Sequence, residues 1–363
     1  MIYDIAIIGA GCAGLSLAYQ ISKTNQNKKI IILDSKTKFQ NDRTWSFWKT
    51  NDHDFEDCLE KQWSNFEVKN KEKIKIFNQT KYPYQTINSL KFYEKIKNNL
   101  NDKFVLKLGF QIKDIKKTSE VFQIKNSNEV IESKLVFDSR VPEIKMGNLY
   151  QHFYGLTIET NQNAFDENKL TLMDFKQKEQ SVHFFYILPF KNNRALIETT
   201  WLSKLNELNK EKYVDELDQY IQNDLGINQF NIIREEIGAI PMFRRSSKNE
   251  TGYVDIGIRG NINRMSTGYA FPYIQAHSKI IANALDQLSF KRPISAKYEF
   301  LDQLFVKVLK NHTNQMPDIF FKLFDQNNQE SVIRFLSSEG SWLDDMKIIS
   351  KMPKLLFLKN LFN

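Results

Sequence analysis

Tyr3-Asp4-Ile5-Ala6-Ile7-Ile8-Gly9-Ala10-Gly11-Cys12-Ala13-Gly14, continuing into Leu15-Ser16-Leu17-Ala18-Tyr19-Gln20-Ile21, is the stretch on which the reading of this chain turns. Residues Tyr3 to Ile8 are apolar apart from Asp4, the pattern of a central parallel strand covered on both faces. The glycines that follow have the spacing G-x-G-x-x-G. In a strand–turn–helix the first allows the tight turn, the second lets backbone approach a pyrophosphate, and the third lets helix and strand pack closely. The helix amino terminus then offers unpaired N–H groups to phosphate. After a polar return from Ser22 to Lys29, Ile30-Ile31-Ile32-Leu33 reads as a second strand ending at Asp34, twenty residues beyond Gly14. A carboxylate there is placed to accept from ribose hydroxyls and would repel a 2′-phosphate. Gly9, Gly11, Cys12, Ala13, Gly14 and Asp34 are therefore the candidate dinucleotide-binding residues. A glycine turn that serves packing alone is the alternative.

Working outward, residues 35–50 carry a polar loop instead of an immediate second βαβ repeat. Short strands are predicted over 68–83, a helix over Leu90 to Leu100, and alternating strands from Phe104 to Phe137, with a hairpin at the asparagines near 126–128. Leu135-Val136-Phe137 looks like a return to the first sheet. Phe153 to Thr160, Thr171 to Gln177, His183 to Leu188 and Ala195 to Trp201 predict an antiparallel sheet, and 202–223 has helical patterning. A strand over Tyr253 to Ile258, a long helix over Phe271 to Leu288, and helices from 300 onward complete the chain. The expected fold class is α/β: a Rossmann-like FAD-binding domain interrupted by an antiparallel-sheet substrate domain, with C-terminal helices. The expected boundaries are 1–50, 130–150 and 238–300 for the first domain, 51–129 and 151–237 for the second, and 301–363 for the helical region. FAD is preferred because the loop opens the chain and a large sheet is inserted after it, although the loop itself does not exclude a nicotinamide.

Composition narrows the class. A chain of 363 residues, 41% hydrophobic and 26% charged, is folded and long enough for two domains. No apolar stretch is long enough to cross a bilayer, and the opening apolar run reads as a buried strand, without the basic flank of a signal peptide. Two cysteines, Cys12 and Cys58, do not suit a disulfide framework and predict a reducing cytoplasm or the cytoplasmic face of a membrane. His152, His183 and His277 lack metal-ligand spacing, so no metal is expected. The net charge of +8 comes from scattered lysines. No helix-turn-helix, zinc finger or basic–aromatic pattern accompanies it, and nucleic-acid binding is not expected. Twenty-eight Phe, fourteen Tyr and five Trp make either a Phe-rich core or a long apolar ligand tunnel.

Two carboxylates stand in otherwise apolar strands. Glu198 follows Ala195-Leu196-Ile197, and Asp174 lies in Leu172-Met173-Asp174-Phe175. Each either points off its sheet into solvent or is held inside with a raised pKa. Adjacent strands would bring the two together. If Asp42-Arg43-Thr44-Trp45-Ser46-Phe47-Trp48 is extended, Trp45 and Phe47 share one face. Its rings line a ligand pocket or form an aromatic cluster between domains. Residues 347–362 alternate lysines with large apolar residues around Pro353, as in a basic amphipathic helix at an anionic surface or a terminal helix packed on the core.

Several of these segments together resemble the lycopene cyclase family, in particular its bacterial FAD-dependent beta-cyclases. The opening strand and loop are similar to the family's start, and Arg43 to Trp48 resembles its Arg-x-Trp-x-Phe-Trp segment. Phe137-Asp138-Ser139-Arg140, Gln151-His152-Phe153-Tyr154-Gly155, Met173-Asp174-Phe175-Lys176, Tyr186-Ile187-Leu188-Pro189, Ile197-Glu198-Thr199-Thr200 and Gly238 to Met242 match further family segments in order. Gly257 to Tyr269, with Gly260, Gly268 and Tyr269, resembles the stretch through which the family closes its flavin site. Asn261 and Met265 stand where the family commonly has Gly and Pro.

The resemblance implies a non-redox isomerisation of lycopene: protonation at C2, closure of the C1 cation onto C6, and loss of the C6 proton to leave a beta-ring. It makes Glu198, with Asp174 second, the acid–base residue. Arg43, Asp138, Gly257, Gly260, Gly268 and Tyr269 would then hold flavin. Trp45, Phe47, Trp48, Phe184, Tyr186 and Phe190 would line the polyene site. It further implies reduced FAD, NADPH or NADH as electron source, a hydrophobic carotenoid substrate drawn from the inner face of a membrane, and association with other carotenoid enzymes.

Overall fold

The computed structural model describes all residues except 25, 26, 179, 180, 247–249, 288 and 363. Along the chain run β1 (Ile2–Ile8), α1 (Cys12–Ser22), β2 (Ile30–Leu33), β3 (Thr44–Trp48), β4 (Leu59–Trp63), β5 (Asn65–Asn70), β6 (Lys73–Phe77), β7 (Tyr84–Asn88) and α2 (Ser89–Asn99). Next come β8 (Phe104–Lys107), β9 (Asp114–Lys117), β10 (Phe122–Lys125), β11 (Val130–Asp138), β12 (Asn148–Glu159), β13 (Lys169–Lys178), β14 (Ser181–Lys191) and β15 (Arg194–Leu205). The chain closes with α3 (Lys210–Gln219), β16 (Asn231–Pro241), β17 (Tyr253–Asp255), α4 (Phe271–Ala282), α5 (Ala296–Asn311), α6 (Met316–Asp325), α7 (Gln329–Leu336), α8 (Trp342–Lys351) and α9 (Lys354–Phe362).

The first sheet has the order β8-β2-β1-β11-β10-β9, with β17 beside β11. Its centre is parallel, and Ile5 to Ile8 and Ile30 to Leu33 are buried on both faces, as their unbroken apolar runs require. Gly9 has φ +96°, a left-handed conformation that suits glycine. A Cβ on Gly14 would lie 1.8 Å from the Gly9 carbonyl oxygen, so strand and helix touch there. This is the close packing expected of the third glycine. The hairpin at 126–128 is present: Asn126 Oδ1 accepts from the backbone N–H groups of Asn128 and Glu129, joining β10 to β11.

The second sheet, β16-β12-β15-β14-β13-β5-β6, is antiparallel except where β13 meets β5. Its strands β12 to β15 extend the strands read at 153–201. A third sheet, β3-β7-β4, lies between the two.

The pairing corrects the expected boundaries. Residues 104–129 belong to the first sheet, not the substrate domain, because β8 extends the parallel ladder and β9–β10 pair back onto β11. Conversely, β3 leaves the first domain for the third sheet, and residues 148–150 and 238–241 pair within the second. The helix expected over 271–288 ends at Ala282, and Leu288 lies outside the described residues. Within 202–223 the chain first finishes β15, and α3 begins only at Lys210. Pro353 separates α8 from α9, as its missing N–H and fixed φ demand.

The C-terminal helices join the rest through a shared apolar core and a buried ion pair. Arg264 and Asp302 of α5 are each 1% exposed. The Arg264 guanidinium donates to both Asp302 oxygens at 2.8 and 2.7 Å, and the same carboxylate accepts from Met265 N–H and Ser266 Oγ. Arg264 Nη1 also donates to the carbonyls of Phe335 and Leu336 at the end of α7. Removing one partner strands a buried charge, which typically costs about 3–5 kcal/mol. Asp302→Ala should therefore lower the unfolding free energy by roughly that amount, read by chemical denaturation. A loss within about 0.5 kcal/mol, the range of an ordinary surface substitution, would show that this pair does not hold the helices.

Candidate active site

A cavity of about 820 Å³ runs from the glycine loop to the inner face of the second sheet. At its first end Gly9, Gly11, Cys12, Ala13 and Asp34 line the wall. A Cβ on Gly11 would meet nothing within 4 Å, so the backbone there opens onto free space, as a close-lying pyrophosphate needs. Asp34 accepts from the N–H groups of Ala10 at 2.6 Å and Lys36 at 2.8 Å, which fixes the carboxylate at the strand end while it faces the cavity. Arg43, Ser139, Arg140, Gly268 and Tyr269 complete this half.

Other residues expected to contact the cofactor act from behind. Asp138 is fully buried. Although burial opposes its charge, hydrogen bonds from Arg140 and Tyr253 outweigh that effect and hold its carboxyl below the usual range. It therefore orients Arg140 and does not itself line the cavity. Gly257, at φ +62°, lets the chain pass Ala13, to which an added Cβ would come within 2.7 Å. Gly260 and Gly14 likewise serve packing. Asn261 takes the left-handed conformation at φ +59°, which asparagine tolerates better than most residues. Its side-chain amide pairs with the Arg245 backbone N–H and carbonyl, so the missing glycine leaves the turn intact.

At the second end a single row crosses four strands: Tyr186 on β14, Glu198 on β15, Gly155 on β12 and Glu236 on β16. Tyr186, Glu198 and Glu236 line the cavity with Phe153, Phe184 and Leu196. Glu198 is buried, so the inward of its two readings holds. Burial first, and the nearby Glu236 carboxylate second, push its pKa up to about 8 against the opposing hydrogen bond from Thr200. Glu236 is raised as well, by burial, with Arg234 and Thr44 opposing.

Asp174 is not part of this row. It pairs with Phe185, on the opposite sheet face from Tyr186, accepts from Tyr220 Oη at 2.6 Å and lies 3.4 Å from Lys176 Nζ. The expected meeting of Asp174 with Glu198 is therefore corrected: Glu198 meets Glu236, which the sequence reading missed.

The aromatic residues also divide. Trp45 lines the cavity. Phe47 shares its face, both rings stacking on Phe271, but is buried behind it. Trp48 points the other way, into a core with Phe66 and Tyr84. Phe190 lines a separate smaller cavity near Arg194 and Arg234. Phe47, Trp48 and Phe190 are thus removed from the wall, and Phe153, Leu172 and Tyr84 join it. The Tyr186 hydroxyl donates to Tyr84 Oη at 3.1 Å, satisfying a buried phenol at the rim of an otherwise apolar chamber.

The arrangement is a dinucleotide-shaped cradle opening into a dry, ring-lined chamber that holds a protonatable carboxyl. A crystal structure of similar fold is that of a geranylgeranyl bacteriochlorophyll reductase-like protein from Thermoplasma acidophilum, with a TM-score of 0.73 at 13% identity over 99% of this chain and 98% of that one. A flavoprotein/dehydrogenase from Cytophaga hutchinsonii gives 0.63 at 12% identity, over 100% and 99%. These likenesses establish the fold, that of FAD-binding Rossmann-type flavoproteins. In sequence, a chloroplastic lycopene beta cyclase of Arabidopsis thaliana is 27% identical over 311 residues, 78% of this chain and 60% of the plant protein. The chain thus spans about 60% of the length of that relative. The family profile described as lycopene cyclase protein matches residues 4–361, and the chain belongs to the lycopene cyclase family.

Proposed function

We propose that this protein is a lycopene beta-cyclase that closes the acyclic ends of lycopene, or of a related carotene, without net redox change. The observation that carries the proposal is Glu198: a buried carboxyl with its pKa near 8 at the apolar end of a cavity that begins in a dinucleotide cradle. At neutral pH such a group holds its proton and is matched to protonating an alkene. In the proposed reaction Glu198 donates its proton to C2, the C1 cation closes onto C6, and a carboxylate in the chamber receives the C6 proton. Phe153, Tyr186 and Trp45 present ring faces that tolerate cationic charge and exclude the water that would trap it as an alcohol.

FAD fits the cradle made by Gly9, Gly11, Asp34 and Arg140, and in reduced form it would supply an electron-rich ring beside the developing cation. NADPH or NADH would supply the electrons that reduce it. Asp174, held by Tyr220 and Lys176 on the other face, has no part in this scheme.

Access from a bilayer belongs to the same proposal, since a long hydrocarbon does not dissolve in water. Among the described residues no helix is long and apolar enough to cross a membrane. On α8, Trp342, Leu343, Met346 and Ile349 are exposed at the spacing of one helical face. Leu355, Leu358 and Leu361 are exposed on α9, and Lys347, Lys351, Lys354 and Lys359 stand out among them. Such a surface suits an anionic, cytoplasmic leaflet, where other carotenoid enzymes would be neighbours.

In cells that accumulate lycopene, the full chain should yield cyclised carotene of unchanged mass. Products heavier by two hydrogens or one oxygen, with stoichiometric NADPH consumption, would instead mark a reductase or monooxygenase acting on an isoprenoid. Glu198→Gln should retain flavin and lose cyclisation at least about 100-fold, and undiminished turnover would remove Glu198 from the acid role. Because Glu198 must be protonated to donate, wild-type activity should fall about tenfold per unit above about pH 8, and it should fall again at low pH as the receiving carboxylate gains a proton. Replacing both Trp342 and Leu343 by Ser should weaken sedimentation with anionic vesicles at least about tenfold, as loss of two buried apolar side chains implies. Equal binding by the variant would exclude α8 as the contact.

A further inference from the structure

The Glu198–Gly155–Glu236 row carries more than a lone acid. The registers place Gly155 directly opposite Glu198 on one side and Glu236 on the other. A Cβ on Gly155 would lie 3.5 Å from Glu198 Cβ and 3.4 Å from Glu236 Cγ. Any larger residue would stand between the two side chains, so the glycine leaves the space above it to them. Both are buried, and both line the same cavity.

Their surroundings differ. Glu198 accepts from Thr200 Oγ1 at 2.7 Å, and beyond that faces the phenols of Tyr84 and Tyr186. Glu236 accepts from Thr44 Oγ1 at 3.0 Å and from Arg234 Nη1 at 3.2 Å. Arg234 Nη2 also donates to Thr44 Oγ1, closing a triangle around the Glu236 carboxylate, and Arg43 lies on the same side. A charge is therefore compensated more at Glu236, which Arg234 and Thr44 contact, than at Glu198, on which Arg234 acts without contact. The Glu236 charge raises the pKa of Glu198, so the two favour holding one proton between them.

We infer that Glu198 and Glu236 form one acid–base pair holding a single proton, with Glu198 the donor and Glu236, charged and held by Arg234 and Thr44, the acceptor. The inference rests on the cyclase reading and deepens it. The proton leaves Glu198 for C2 of the polyene, and the C6 proton passes to Glu236 as the C5 cation becomes the ring alkene. Its return from Glu236 to Glu198 across Gly155 resets the site, with no net gain or loss of protons and no redox partner. The charged and titratable groups facing the pair are Arg43, Tyr84, Tyr186 and Arg234, with the hydroxyls of Thr44 and Thr200 beside them.

Infrared difference spectroscopy on the full flavin-loaded chain tests the shared proton without substrate. With a pH jump and isotope-labelled glutamate, wild type should show one protonated buried carboxyl that titrates near pH 8. Glu236→Gln removes the neighbouring charge, so this midpoint should fall by about one unit or more. Arg234→Met removes the opposing cation, so the midpoint should rise. Glu236→Asp, which keeps the charge, should leave it near the wild-type value and acts as the folding control. In lycopene turnover Glu236→Gln should lose at least about tenfold at every pH.

An unchanged midpoint in both Glu236→Gln and Arg234→Met, or a Glu236→Asp midpoint as low as that of the Gln variant, would overturn the pair. If the cyclase reading fails instead, the midpoints shift as stated while no cyclised carotene forms. A purely structural role for Glu236 would lower activity without moving the titration.

Discussion

The Arg264–Asp302 pair is the buried charge around which the C-terminal helices and the turn at Gly268 are organised. Both partners are out of water, and an isolated charge at either position would be costly. Asp302 therefore collects the guanidinium, the Met265 N–H and the Ser266 hydroxyl. Those contacts fix the turn that carries Gly268 and Tyr269 into the cavity wall. The Arg264 contacts to the end of α7 draw the C-terminal helices over the same turn. The helices, far from the glycine loop in sequence, thereby decide the shape of the cavity in front of it.

Burial changes what a carboxyl can do. Asp174 and Glu198 look alike in sequence, each an acid in an apolar strand. Asp174 lies where a phenol and a lysine support its charge. Glu198 lies where burial and a neighbouring carboxylate outweigh a threonine hydroxyl and the more distant Arg234. Raising the Glu198 pKa means that folding binds a proton which the unfolded chain would release between its ordinary value of 4.5 and about 8. Stability therefore declines with rising pH across that window. The chamber is held at a cost in stability at and above neutral pH, offset elsewhere in the core. Glu198→Gln would relieve that cost, so loss of activity in that variant would not reflect weaker folding.

How much of this was legible in the sequence follows from the range of each interaction. The glycine loop, β1, β2 and Asp34 were readable because their chemistry is local: a turn, a close packing and a carboxylate at a strand end. The return of β11 and the antiparallel run from β12 to β15 were readable from apolar runs and alternation. The division of strands between sheets was not, because β8, β9 and β10 have no local mark of the ladder they join. Asp174 was misplaced for a specific reason: the register of β13 against β14 shifts between Thr171 and Asp174, and such a bulge reverses which side chains face inward. Glu236 was hidden in Arg234-Glu235-Glu236, which reads as a solvated charge run. Only alternation from the Gly238 to Met242 segment could have separated the outward Glu235, paired with Lys210, from its buried neighbour. Trp48 and Phe190 were assigned to the wall by ring type, but ring type does not say which of two adjoining cores receives the ring.

A fold shared with reductases and dehydrogenases is a reasonable host for chemistry without electron transfer, and the cavity suggests why. Its two halves ask for opposite environments. The cradle gathers N–H groups, Arg140 and a hydrogen-bonded Asp34, all suited to polar phosphates and sugar. The chamber offers rings and one neutral acid, suited to a hydrocarbon. A redox enzyme needs both halves so that a hydride can pass from cofactor to substrate. On the cyclase reading the same juxtaposition serves a cation, which needs electron-rich faces and no water but consumes no hydride. What would distinguish the two chemistries is then not the nucleotide site but the far sheet: a donor that stays protonated at neutral pH, with a charged partner close enough to take the proton back. On that reading the two acids that flank Gly155 decide the reaction more than the cofactor does.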